Sequence, residues 1–110
     1  MKHFMCVHHF NSKKDLESVR KSSAEKPMTD REFLKQFDGE KAKAIQHWAG
    51  SSDFFYCHWL SESEEALHEA FEEYGITESI YTMVMEAPRF ASNYIIEDRL
   101  LPPFTESGNG

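Results

Sequence analysis

The feature of this sequence that most restricts its fold is a short apolar run followed at once by a helical pattern. Residues 54–60 (FFYCHWL) are apolar or aromatic except for one histidine, which predicts a strand covered on both faces. Ser61 is predicted to cap a helix whose buried side carries Leu67 and Phe71, with Gly75 as its left-handed end. A strand that runs directly into a helix predicts a mixed α+β domain.

The remaining elements are read from apolar spacing and from capping residues. Residues 2–10 predict the first strand, and the polar residues 12–28 predict a loop with room for a short helix. A capping box opens a helix over residues 29–38. Residues 42–49 fit a helix or a strand, and we choose a strand because a hairpin to residue 54 explains the intervening glycine and serines. Residues 79–86 predict the last strand.

The predicted order β-α-β-β-α-β is that of a ferredoxin-like α+β domain, an antiparallel sheet with two helices on one face. The other face of such a sheet is open, and a second copy commonly covers it, so we expect a homodimer of the dimeric α/β-barrel type. Residues 89–104 are too apolar for a free tail and are expected to pack on this subunit or on its partner. We predict a single domain over residues 1–104 and a disordered tail over 105–110.

Composition excludes several classes of function. The chain of 110 residues carries a net charge of −7 and no basic run, which argues against nucleic-acid binding. Two cysteines are too few for a disulfide scaffold. No stretch has the length and apolarity of a signal peptide or a membrane span, so the expected location is the cytoplasm, away from membranes.

Histidines and cysteines concentrate on the predicted strands, and these side chains are the candidate metal ligands. A hairpin with a four-residue loop pairs His47 with Tyr56 and places both on one side with His58, where His8 could join them. A register shifted by one residue would instead place Cys57 beside His47. Imidazole and thiolate ligands suit transition metals such as nickel or zinc. The simpler interpretation is that these cysteines are small core residues and the histidines bridge polar atoms.

An aromatic group on the same strands suits a pocket for a small flat molecule. It comprises Trp48, Phe55, Trp59 and Tyr81, with Tyr56 as a polar member. Such residues form a core or an interface more often than a pocket. The sequence contains no serine-hydrolase elbow, no zinc-protease helix motif and no phosphate-binding glycine loop, so it names no reaction.

The segment FFYCHWLSESEEALHEAFEEYGI resembles the strand–helix region of a family of small bacterial proteins of unknown function, one branch of which is described as nickel-binding. The shared features lie within residues 42–86 and include His47, an aromatic before Cys57, Trp59, Ser63, Glu65-Ala66-Leu67 and Gly75. The resemblance implies a ferredoxin-like fold and a dimeric α/β barrel. It also implies His47 and Cys57 as metal-site residues.

Three hypotheses about function remain at this point. The first is a protein that binds a metal or a small ligand, using His47, Cys57 and either His58 or His8. The second is a dimeric α/β-barrel enzyme, a monooxygenase or isomerase that acts on a small hydrophobic molecule with His58, His47 or Tyr56 as acid–base group. The third is an interaction protein without a site.

Overall fold

The structure is a computed structural model that describes residues 1–50 and 53–104. Its strands and helices, in chain order, are β1 (Lys2–Phe10), α1 (Lys13–Glu25), α2 (Asp30–Gln36), β2 (Ala42–Trp48), β3 (Phe54–Ser61), α3 (Glu64–Glu73) and β4 (Ile80–Glu86), with a 3₁₀ turn at Ile76–Glu78 before β4. The choice of a strand for residues 42–49 is confirmed.

The four strands form one antiparallel sheet in the order β2-β3-β1-β4. This order, with crossovers that place the helices on one face, is that of the ferredoxin-like fold. The predicted fold class is therefore confirmed. Three helices cover the sheet rather than the two expected, because the first crossover contains both α1 and α2.

Helix α1 corrects the prediction of a loop over residues 12–28. The Ser12 hydroxyl accepts a hydrogen bond from the Asp15 amide at 3.1 Å and starts a helix of 13 residues. None of its residues is fully buried, and Leu16 and Val19 are the apolar residues that it directs toward the sheet. The apolar pattern was weak because the helix lies on the surface of the protein. The capping box between Thr29 and Glu32 at the start of α2 is confirmed.

Helix α3 starts later than predicted. Its cap is Ser63, which accepts a hydrogen bond from the Ala66 amide at 3.0 Å. Ser61 instead donates its hydroxyl to the carbonyl of Lys41 at 3.0 Å and stays in the strand. Both serines precede acidic residues, so the spacing alone did not distinguish them. Gly75 has a φ of 77°, the left-handed conformation that the sequence predicted.

The core lies between the sheet and α3. Leu67 and Phe71 are 0% and 1% exposed, which confirms their predicted burial. Phe71 packs edge-on against Trp59 with ring centroids 5.1 Å apart. Phe4 of β1 and Ala42 of β2 complete the centre of this core.

A β-bulge in β2 sets the register of the central hairpin. Ala44 pairs with Trp59 and Gln46 with His58, so Ile45 is an extra residue on its strand. His47 consequently pairs with Cys57, and the pairing with Tyr56 expected from a simple four-residue loop is wrong. Trp48 takes Tyr56 as its partner instead. Part of the predicted loop, residues 51–52, lies outside the described residues.

The described segment after β4, residues 87–104, packs little against the rest of the chain. Phe90 contacts the rings of His3 and His58, with centroids 5.4 and 4.7 Å away. Beyond it, Tyr94 and Leu100 are 96% and 94% exposed. The predicted tail over residues 105–110 lies outside the described residues. None of the helices described here is long and apolar enough to cross a membrane.

Candidate functional site

A cavity of about 960 Å³ lies between the helix-covered face of the sheet and the helices α1 and α2. Most of its lining is apolar, and a volume of this size falls within the range of small-molecule pockets, about 300–1,000 Å³. Its sheet-side lining includes His8, Phe10, Ala44, His47, Phe55, Cys57, Trp59 and Ile80. Its helix-side lining includes Leu16, Val19, Phe33 and Phe37.

The cavity exists because the two crossovers pack differently. Helix α3 presses Leu67 and Phe71 into the sheet, whereas neither α1 nor α2 buries a residue completely. Ala44 of β2 lines the cavity and supplies little side-chain volume there. The sheet is therefore filled under α3 and left with free volume under the first crossover.

His8 is the most buried polar side chain in the cavity wall, at 2% exposed. Its Nδ1 shares a hydrogen bond with the Thr82 hydroxyl at 2.6 Å, and its ring stacks on Phe55 with centroids 4.7 Å apart. Its Nε2 has no hydrogen-bond partner among residues 1–50 and 53–104. Burial, and secondarily the charge of His47, lower the pKa of His8 to about 4, so the imidazole is neutral near pH 7.

His47 and Cys57 form the second polar group of the cavity. The bulge at Ile45 places His47 opposite Cys57 on the helix-covered face, and His47 Nδ1 lies 3.3 Å from Cys57 Sγ. Phe33 of α2 packs against the His47 ring, with centroids 4.5 Å apart. Burial raises the pKa of the Cys57 thiol to about 12, an effect that the adjacent Trp59 partly offsets, and burial lowers the pKa of His47. The pair is therefore a neutral thiol beside a neutral imidazole.

The structure separates the four predicted metal ligands into two groups. His8, His47 and Cys57 lie on the cavity side of the sheet, while His58 lies on the opposite face. The predicted convergence of His58 with His8 and His47 is therefore wrong, because His47 pairs with Cys57 and successive residues of a strand point to opposite faces. Within the part of the chain that the structure describes, no three His, Cys, Asp or Glu side chains are grouped to hold one ion.

His58 belongs instead to a polar cluster on the open face of the sheet. Its Nε2 lies 2.9 Å from His3 Nδ1, and its Nδ1 lies 3.0 Å from the Gln46 side-chain nitrogen. Phe90 covers this cluster, so His58 is only 2% exposed. Burial, and then the charge of His3, lower the pKa of His58.

The predicted aromatic pocket is divided in the same way. Trp59 lines the cavity, whereas Trp48, Tyr56 and Tyr81 lie on the open face and are 43%, 42% and 55% exposed. These four residues do not share one pocket. Trp59 is directed inward by the alternation of β3, as is Phe55, the remaining member of the predicted aromatic group.

Two elements of the site were missed by the sequence-based reasoning. Thr82, the partner of His8, sits in β4 with no motif around it. Leu16 and Val19 line the cavity from a segment predicted to be mainly loop. Their spacing of three residues, one helical turn, was the available signal.

The fold and the site define a ferredoxin-like α+β protein with an apolar cavity between its sheet and its first two helices. No family model matches the chain, and no curated protein matches it. Among solved structures, it is similar to a dimeric ferredoxin-like protein from an uncultured marine organism, at 16% sequence identity. The match covers 84% of this chain and 100% of the other, with a TM-score of 0.37.

At this level of similarity the solved structure carries no information about function, and the assignment of the fold comes from the strand order itself. The resemblance to a family with a nickel-binding branch receives no support from these comparisons and stays a prediction.

Proposed function

We propose that this protein binds a small, mostly apolar molecule in the cavity beneath α1 and α2. The observation that carries the proposal is the coexistence of an apolar cavity of about 960 Å³ with a buried imidazole, His8, whose Nε2 has no hydrogen-bond partner among the residues that the structure describes. A buried polar atom without a hydrogen bond costs about 1–3 kcal/mol, and a ligand that bonds to it recovers part of that cost. The part of the ligand that contacts the sheet is expected to be uncharged, because neutral His8 and His47 offer it no counter-ion there.

The test uses 2-naphthol, a neutral aromatic alcohol, as the probe in isothermal titration calorimetry. Val19→Trp places a large ring in the cavity wall, and Ser18→Trp adds the same ring on the exposed side of α1 as a matched control. We expect Val19→Trp to weaken binding by about tenfold or more, and Ser18→Trp to leave it unchanged.

A third variant examines the polar contact. His8→Phe should weaken binding about fivefold to tenfold, the loss of one hydrogen bond worth about 1 kcal/mol. Equal affinities of the two tryptophan variants would show that naphthol occupies another surface, such as the open sheet face, and would contradict the proposal.

A second proposal concerns metal binding by His47 and Cys57 in the cavity wall. His47 Nδ1 and Cys57 Sγ, 3.3 Å apart, are close enough to ligate one nickel or zinc ion. Protein sites for these metals use three or four protein ligands, and the described part of the chain supplies only this pair in one group. Binding would therefore depend on ligands from outside it, which makes the small-molecule proposal the better supported of the two.

We also propose that the chain forms a homodimer through the open face of its sheet. Large apolar side chains there are 42–55% exposed, among them Trp48, Phe54, Tyr56, Tyr81, Met83 and Met85. A contiguous apolar patch of this kind marks an interaction surface in soluble proteins. Residues 91–104 extend from the same face, where Phe90 is anchored, and their apolar side chains are available to the second copy.

A catalytic function receives less support from the geometry. Of the three acid–base groups considered for a dimeric-barrel enzyme, only His47 lines the cavity. His58 and Tyr56 lie on the other side of the sheet.

A further inference from the structure

The two cysteines of the chain are direct neighbours across the centre of the sheet. Cys6 of β1 pairs with Cys57 of β3 in the antiparallel ladder, and both side chains lie on the helix-covered face as free thiols. Residues directly opposite each other in such a ladder have Cα atoms about 4.5–5.5 Å apart. Disulfides span Cα separations of about 4.4–6.8 Å, so the backbone already has a spacing that a disulfide bridge can use.

The two thiols differ in how they can be reached. Cys57 lines the cavity and is 5% exposed, whereas Cys6 is 0% exposed and is not part of the cavity wall. A small oxidant that enters the cavity therefore meets Cys57 first. His47 lies 3.3 Å from the Cys57 sulfur and can take its proton.

We propose that Cys6 and Cys57 are a redox pair that closes to a cross-strand disulfide when a peroxide enters the cavity. In the first step Cys57, its proton transferred to His47, attacks one peroxide oxygen. The S–O bond forms, the O–O bond breaks, and the leaving hydroxide takes a proton to become water. In the second step the Cys6 sulfur attacks the Cys57 sulfenic acid, the S–S bond forms and the S–O bond breaks. The second water leaves with the Cys6 proton, so two thiols are oxidised by two electrons and one peroxide is reduced.

The oxidation should be slow, because both thiols are buried and burial raises the pKa of each to about 12. Because the thiolate is the reactive form, the pair would respond to sustained oxidation rather than act as a rapid peroxide scavenger. Closing the bridge also withdraws the Cys57 sulfur from His47, which changes the polar wall of the cavity.

The test treats the folded full-length chain with hydrogen peroxide at neutral pH. The protein is then unfolded, alkylated and analysed by mass spectrometry. We expect a loss of two hydrogen atoms per chain and a peptide pair joined through Cys6 and Cys57. Dithiothreitol should restore both thiols.

Two single variants test the route as well as the product. In Cys6→Ser, dimedone should trap a sulfenic acid on Cys57. In Cys57→Ser, the buried Cys6 should react with peroxide at least about tenfold more slowly than Cys57 does in Cys6→Ser. Equal reactivity of the two variants would show that oxidation requires unfolding, and would overturn the cavity route. Either of two results would overturn the pairing itself. One is that disulfides form only between chains. The other is that both thiols of the folded protein stay intact under an exposure to peroxide that oxidises the unfolded chain.

Discussion

Acid should destabilise this protein measurably through His8. The imidazole has a pKa of about 4 in the folded protein, against an ordinary value of 6.5. Between these pH values the unfolded chain binds a proton that the folded chain does not, so the free energy of unfolding rises with pH. The stabilisation is complete above about pH 6.5 and is lost as the pH falls toward about 4. At about 1.4 kcal/mol per pKa unit, the loss is about 3 kcal/mol.

The variant His8→Phe isolates this contribution. It keeps a ring to stack on Phe55 but cannot be protonated, and the hydrogen bond to Thr82 that it gives up costs the same at every pH. When urea denaturation of both proteins is compared between about pH 6.5 and 4, the free energy of unfolding of the wild type should fall by about 3 kcal/mol more than that of His8→Phe. The pKa values of His47 and His58 are also lowered, but both residues are present in both proteins and cancel in the comparison. Parallel pH curves would refute the assignment of His8 as a buried neutral imidazole.

Three further predictions follow from the packing, the open face and the histidine–cysteine pair. Leu67→Ala should cost about 2–5 kcal/mol in urea denaturation, whereas Glu69→Ala on the same helix should cost less than about 0.5 kcal/mol; similar losses would mean that the buried side of α3 is misassigned. Sedimentation should give twice the chain mass of 12.8 kDa, and Met83→Asp should give the monomer; a monomeric wild type would contradict the dimer. Calorimetry with nickel should show binding that weakens as the pH falls and is mostly lost in His47→Ala and in Cys57→Ser; wild-type affinity in both would exclude this pair.

Elements with their own local signals were predictable from the sequence. Strand β3 was marked by its continuous apolar run, α2 by the capping box at Thr29, and the end of α3 by Gly75, whose positive φ few other residues adopt readily. Helix α1 was predicted only as a loop with room for a short helix. A helix that buries no residue needs little apolar periodicity, and its sequence shows little.

The candidate site was predictable in its residues but not in its geometry. His8, His47 and Cys57 were identified because ligand-type side chains stand out on apolar strands. Which of them share a face depends on the bulge at Ile45, and a bulge of this kind carries no residue preference that the sequence displays. The cavity depends on how far α1 stands from the sheet, a tertiary property that no local pattern encodes.

The extra residue in β2 also affects how distant relatives of this chain should be aligned. A relative with an unbulged second strand would be one residue shorter between Ala44 and His47, yet would direct the equivalents of both toward the helices. Correct alignment would then require a gap inside a strand, whereas insertions and deletions are ordinarily placed in loops. In an alignment without that gap, the relative's equivalent of His47 would fall opposite Gln46. His47 itself would then fall opposite the relative's equivalent of Trp48. A single extra residue within a strand is therefore enough to lower the apparent similarity between two related sequences.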